Sequence, residues 1–167
     1  TVDLLEQGEI NTDHGPFTIN VFQDSTDGET HLALVKGSPS ADDPTLVRVH
    51  AGSAVRDMLG AQLNDKPDWN IQRCLAAIEK EGCGVLVLLA THNTSVDWLE
   101  DAQIALGRRA KPAVLVTKGS DSLTIGVGSQ ILRQLGVQKI RLMGPDKHYS
   151  GISGFDLEVV EYVSCGS

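Results

Sequence analysis

The chain has 167 residues, of which 41% are hydrophobic and 22% charged, a composition typical of a globular domain. A domain of this length folds without a disulfide framework or a structural metal, and its three cysteines form an odd set with no close pair. A net charge of −8 and only 4% aromatic residues disfavour nucleic-acid binding, and the longest apolar run, residues 85–90, is too short for a membrane span. We expect a cytoplasmic protein without nucleic-acid or membrane partners.

Turn-forming residues separate three strand-like runs in the first half of the chain. Residues 17–22, 31–35 and 45–49 are rich in apolar and β-branched residues, and turn or proline residues interrupt the chain between them. This alternation predicts an antiparallel sheet. We interpret residues 1–9 as a tail, the end of a linker from an upstream domain.

Helical spacing replaces this pattern after residue 68. Ile71, Leu75 and Ile78 recur on one helix face, Asp68 is the expected N-cap, and Gly82 is the expected end of the helix. Beyond it the sequence predicts strands at 83–90, 112–116, 139–143 and 157–163, and helices at 96–106 and 128–135. The predicted fold is α/β, with a mixed sheet and flanking helices.

No general catalytic or metal-binding motif is complete in this sequence. Gly126 and Gly128 precede a predicted helix as in a dinucleotide-binding loop, but Ile131 stands where the third glycine belongs. The five histidines lack the spacing of a metal-binding pair, and there is neither a P-loop nor a nucleophile elbow. These motifs alone therefore predict no activity.

Three segments taken together resemble the GTP cyclohydrolase II family, which opens the guanine ring at the start of riboflavin synthesis. They are Arg-Val-His at 48–50, Gly-Val-Gly-Ser-Gln-Ile-Leu at 126–132, and 135–142, which opens with Leu-Gly-Val and closes with Ile-Arg-Leu. Their order is that of the family, and residues 31–37 and 151–161 extend the resemblance over nearly the whole chain. The resemblance implies one cyclohydrolase-like domain over residues 1–167 and a homodimer.

The same resemblance shows that parts of the family's chemistry are missing. Family members hold a catalytic zinc with a cysteine after the Arg-Val-His stretch and a later Cys-x-Cys. Here Ser53 takes the first position and residues 64–67 read Asn-Asp-Lys-Pro, so we expect no zinc and no other cofactor. Asp121 is kept, but Leu123 replaces the arginine that takes up phosphate in the family. The arginine of the family's Gln-Glu-Gly-Arg is also absent from residues 90–93.

A remnant of the family's nucleotide pocket is left at Arg48, His50 and Lys147. Two explanations stay open for these residues. Shared ancestry has preserved them for folding, or they still bind a nucleotide without the rest of the machinery.

The resemblance also suggests a role. GTP cyclohydrolase II domains are often fused behind 3,4-dihydroxy-2-butanone 4-phosphate synthase, a lyase of riboflavin synthesis, and some fusions have a degenerate cyclohydrolase half. This implies a non-catalytic domain, a pseudoenzyme, that assembles or regulates an attached synthase. One alternative is a cyclohydrolase or related nucleotide hydrolase with an altered site at Asp121, His50 and His92. Another is a module that senses a nucleotide or a flavin.

We expect the purified protein to hold no stoichiometric zinc, because serine and the Asn-Asp-Lys-Pro stretch supply none of the three thiolates. Elemental analysis of the protein tests this, with Ser53→Ala and Asp65→Asn as matched variants. One zinc per chain that is lost in either variant would contradict the prediction.

Overall fold

A computed structural model describes residues 1–52, 54–60, 62, 68–90, 98–109, 121–144 and 156–165. The strands are β1 (Val2–Thr12), β2 (Gly15–Asp24), β3 (Thr30–Lys36), β4 (Thr45–Ala51), β5 (Gly84–Leu89), β6 (Lys139–Met143) and β7 (Glu158–Val163). The helices are α1 (Ala54–Leu59), α2 (Ile71–Glu81), α3 (Trp98–Ala105) and α4 (Asp121–Gln134). None of these described helices is long and apolar enough to cross a bilayer.

The seven strands of the described residues form one sheet in the order β1-β2-β3-β5-β4-β6-β7. Neighbours from β1 to β5 pair antiparallel, and neighbours from β5 through β4 and β6 to β7 pair parallel. The predicted α/β class with a mixed sheet is confirmed. The expectation that residues 45–49 join an antiparallel sheet is wrong, since β4 is buried from Thr45 to His50 and lies in the parallel half.

The segment that we interpreted as a tail is a strand. Residues 2–12 form β1, which pairs with β2 from Val2 opposite Asp24 to Thr12 opposite Gly15. Because β1 is an edge strand exposed along most of its length, its sequence lacks the apolar alternation that marks a strand with one buried face.

Helix α2 begins and ends at specific side-chain and backbone contacts. Its N-cap is Asn70, whose Oδ1 accepts the Arg73 N–H at 2.8 Å. The predicted cap, Asp68, lies too far ahead of the first turn and instead accepts the Trp69 N–H at 2.9 Å. Gly82 ends the helix as predicted, in the left-handed conformation with φ of 85°.

Helix α4 starts earlier than the sequence indicates. It begins at Asp121, so Gly126 and Gly128 lie inside the helix, which agrees with the absence of a complete dinucleotide-binding motif. A Cβ at Gly128 would lie 3.5 Å from Val49 Cγ1, an ordinary van der Waals distance, so the packing of α4 on β4 leaves room for a larger residue there. The predicted strand at 112–116 lies outside the described residues.

Two hydrophobic cores cover the two faces of the sheet. The core on the α4 side includes Val47, Val49, Val85, Val87, Ile131 and Leu132. The core on the α2 side includes Leu46, Leu86, Leu75, Ile78 and Trp69. Because side chains alternate along a strand, Arg48 and His50 share the α2 face with Leu46.

We expect Gly84→Ala to destabilise the fold by about 1–3 kcal/mol, the range for overpacking a core. A Cβ there would lie 2.8 Å from Leu46 O and 2.9 Å from Ile78 Cγ1. Gly8→Ala is the matched control, since nothing lies within 4 Å of its Cβ position. Urea unfolding measures both variants, and equal effects would contradict this account of the packing.

Candidate functional site

Arg48 and His50, two residues of the predicted remnant, contact each other at the carboxyl-terminal half of β4. Arg48 Nε donates to His50 Nδ1 at 3.1 Å, and Arg48 Nη1 donates to the Met143 carbonyl of β6 at 3.1 Å. Both side chains belong to buried residues. The guanidinium therefore joins two neighbouring strands on the α2 face of the sheet.

His50 connects this guanidinium to a carboxylate. Its Nε2 lies 3.0 Å from Asp57 Oδ2. Because Nδ1 accepts a hydrogen bond from Arg48, the imidazole proton is on Nε2, which donates to Asp57. Both ring nitrogens are thus engaged within the protein.

Asp57 in turn contacts the start of α2. Its Oδ1 accepts the Ile71 N–H at 3.0 Å. The first N–H groups of a helix have no partner inside the helix, and the helix dipole favours a negative charge there. The carboxylate therefore fixes the beginning of α2 against His50 and β4.

Arg56, beside Asp57 in α1, adds a second guanidinium. Its Nη2 donates to the Ala51 carbonyl at 2.8 Å, and its Nη1 lies 3.8 Å from Asp68 Oδ2. We call Arg48, His50, Arg56, Asp57 and Asp68 the β4–α2 polar network. It links α1, the segment before α2, and strand β4.

The electrostatics of the network favour a neutral imidazole. Burial lowers the pKa of His50, the hydrogen bond from Nε2 to Asp57 opposes this in part, and the charge of Arg48 lowers it further. Burial also lowers the pKa of Arg48, but an arginine stays protonated in proteins. Two guanidinium groups and two carboxylates then balance each other inside the network.

The remaining predicted site residues are not brought into this geometry by the described part of the chain. Ser53, Lys147, His92 and residues 64–67 lie outside the described residues. For Asp121 and Leu123 the backbone alone is described, in the first turn of α4.

The positions that correspond to the family's zinc ligands, Ser53 and residues 64–67, lie outside the described residues, so the expectation of no zinc stays a prediction. The residues that the structure describes contain no group of three or more His, Cys, Asp or Glu that could hold a metal. His50 has no ring nitrogen left for a metal, because one accepts from Arg48 and the other donates to Asp57. Cys74 is buried, and burial raises its pKa to about 12, so it stays a protonated thiol rather than a thiolate ligand.

Sequence reasoning missed Arg56 and Asp57. They lie in α1, whose six residues are too few to show a helical period. The available signal is their position just after a strand of the parallel half, because polar groups collect at the carboxyl ends of parallel strands.

A comparison with known families identifies the chain. The model of the GTP cyclohydrolase II family matches residues 4–164. The chain belongs to this family. The resemblance predicted from the three segments is confirmed.

Relatives agree with this assignment. A 3,4-dihydroxy-2-butanone 4-phosphate synthase of Pseudomonas syringae pv. tomato is 36% identical over 165 residues, which cover 98% of this chain and 44% of the relative. A riboflavin biosynthesis protein RibBA of Parabacteroides distasonis is 32% identical over 183 residues, covering 98% of this chain and 42% of the relative. The chain thus spans less than half the length of these relatives.

A solved structure shares the fold. The crystal structure of RibBX, a two-domain 3,4-dihydroxy-2-butanone 4-phosphate synthase from A. baumannii, matches with a TM-score of 0.68 and 33% sequence identity. The match covers 100% of this chain and 41% of that chain.

We expect the free energy of unfolding to fall as the pH drops below about 6.5, the pKa of a histidine in an unfolded chain. The pKa of His50 is lower in the folded protein, so the unfolded chain binds the proton more readily in this range. Each such histidine contributes at most about 1.4 kcal/mol per pH unit. His50→Gln should therefore show a shallower slope than the native protein in urea unfolding between about pH 7.5 and 5.

His31 also has its pKa lowered by burial, but it is present in both proteins and its contribution cancels. His14→Gln is the matched control for loss of an imidazole outside the network. Equal slopes for the native protein and His50→Gln would contradict the neutral, buried imidazole.

Proposed function

We propose that this chain is a non-catalytic GTP cyclohydrolase II-like domain that assembles or regulates an attached 3,4-dihydroxy-2-butanone 4-phosphate synthase in riboflavin biosynthesis. The proposal combines three kinds of support. These are the geometry of the β4–α2 polar network, the residues missing from the family's machinery, and the relatives' length and names.

The observation that carries the proposal is the engagement of Arg48 and His50 inside the protein. A pocket that binds or attacks a nucleotide needs donors and acceptors directed at the ligand. Here the buried guanidinium donates to an imidazole and to a strand carbonyl, and the imidazole donates to Asp57. These contacts support a role for both residues in holding β4, β6 and α2 together.

The residues missing from the sequence point the same way. Ser53 and Leu123 replace a metal-binding thiolate and a phosphate-binding arginine of the family. When catalytic groups act as a unit, removing one of them abolishes nearly all of the reaction rate. We therefore expect no partial activity from the residues that remain.

The relatives support the attached synthase. One is named 3,4-dihydroxy-2-butanone 4-phosphate synthase, another RibBA, and more than half of each lies outside the match to this chain. In our proposal the lyase activity of the full-length protein belongs to that other portion. We also propose a cytoplasmic location and self-association as a homodimer. An interface between two native chains stabilises the folded state, because only native chains form it.

We expect the full-length protein to release no formate from GTP and to lose synthase turnover or thermal stability when this domain is deleted. A domain that binds the native synthase portion shifts its folding equilibrium towards the native state. Synthase turnover and melting temperature, measured with and without the domain, test the second expectation.

Light scattering of the 167-residue chain tests self-association. Formate release that follows the protein through purification and disappears in Asp121→Asn would contradict the pseudoenzyme. Unchanged turnover and melting temperature after deletion would contradict the supporting role.

A further inference from the structure

The outer edge of β1 is one of the two edges of the sheet that the described residues form, and β1 is the longer of the two edge strands. β1 pairs with β2 and ends the sheet, and its residues from Asp3 to Asn11 are all exposed. Leu4, Leu5 and Ile10 are 46%, 50% and 38% exposed. A register shift lies between Leu4 and Glu6, but residues 6–12 pair with β2 without a further shift.

Native proteins usually protect such edges. Charged side chains, proline, bulges or very short strands keep exposed edges from pairing with other chains. β1 has 11 residues without lysine or proline, its charged side chains are all acidic, and its register shift lies near its start, between Leu4 and Glu6. The acidic side chains oppose anionic segments, and the exposed backbone of residues 6–12 and the exposed side chain of Ile10 remain available to a segment of opposite charge.

The charged side chains of β1, and of the first 35 residues as a whole, have one sign. The first 35 residues contain no Lys or Arg and seven acidic residues, although the whole chain carries a net charge of only −8. The acidic residues are Asp3, Glu6, Glu9, Asp13, Asp24, Asp27 and Glu29. Since opposite charges align across interfaces, this edge is complementary to a cationic segment.

A second copy of this chain fits the edge poorly. Antiparallel pairing of two β1 strands would bring Asp3, Glu6 and Glu9 of both copies to one shared edge. Like charges placed across an interface oppose association. The occupant is therefore a different segment, with lysine or arginine among its side chains.

We propose that the outer edge of β1 is the docking surface for the attached synthase portion, which adds an extended cationic segment alongside residues 6–12. This inference rests on the proposed function, since it takes the synthase portion as the occupant. Covalent attachment gives the two portions a high effective concentration, so a modest interface suffices. Backbone hydrogen bonds to the strand provide affinity, and the carboxylates select the charge of the added segment.

Hydrogen exchange of the β1 amides, compared between the full-length protein and the 167-residue chain, tests the contact. We expect exchange in the full-length protein to be slower by about tenfold or more, because paired amides exchange only when the contact opens. The double variant Glu6→Lys and Glu9→Lys should return β1 to the exchange rate of the shorter chain. The control Asp42→Lys and Glu158→Lys makes the same change in net charge at exposed positions outside the first 35 residues and should leave the protection intact.

Equal exchange in both proteins would overturn the proposal, and so would protection that survives Glu6→Lys with Glu9→Lys. Protection in the 167-residue chain that disappears on dilution would assign the edge to a second copy and overturn it as well. If deleting the domain lowers synthase turnover while β1 stays unprotected, the docking surface alone is wrong. If β1 is protected but deletion changes neither turnover nor stability, the supporting role alone is wrong.

Discussion

The burial of Arg48 in β4, an interior strand, is the constraint on which the parallel half of this fold depends. A guanidinium with both faces of its sheet covered must have its donors bonded, because an unpaired buried charge costs several kcal/mol, on the order of 3–5 when one partner of a pair is removed. His50 and the Met143 carbonyl meet that requirement directly. Asp57 contributes indirectly, because its Oδ2 accepts a hydrogen bond from His50 and so orients the imidazole. Its Oδ1 accepts the Ile71 N–H in the first turn of α2 and joins that turn to the network.

The polar side chains of the network are hydrogen-bonded within the protein, as buried polar groups usually are. Here Asp57 contacts both His50 and the Ile71 N–H, and Trp69 Nε1 donates to the Val163 carbonyl at 2.9 Å, which ties the segment before α2 to β7. The network therefore contributes to the packing of four elements, and its loss would affect the fold before any chemistry.

The interior of the sheet differs from its edges. Strand β4 is buried and contains the network's Arg48 and His50, whereas the edge strands β1 and β7 are exposed or half-buried along most of their length, and β1 is the longer of the two. The buried polar groups of the network bond one another, whereas residues 3–11 of β1 are exposed. In our proposal this exposed strand is where the domain contacts the attached portion of the protein. The relatives, of which this chain spans less than half, supply the context for such a neighbour.

The sequence by itself determined most strands, helix α2 with its end at Gly82, and the family, because these depend on local periodicity, turn chemistry or residue identity. Only the tertiary structure decided that β4 lies between β5 and β6, that residues 2–9 belong to a strand, and that Asn70 caps α2. It also decided that Asp57, unremarkable in the sequence, is the partner of His50. Strand order and burial arise from contacts between segments distant in the chain, and local propensity contains no information about which segments meet.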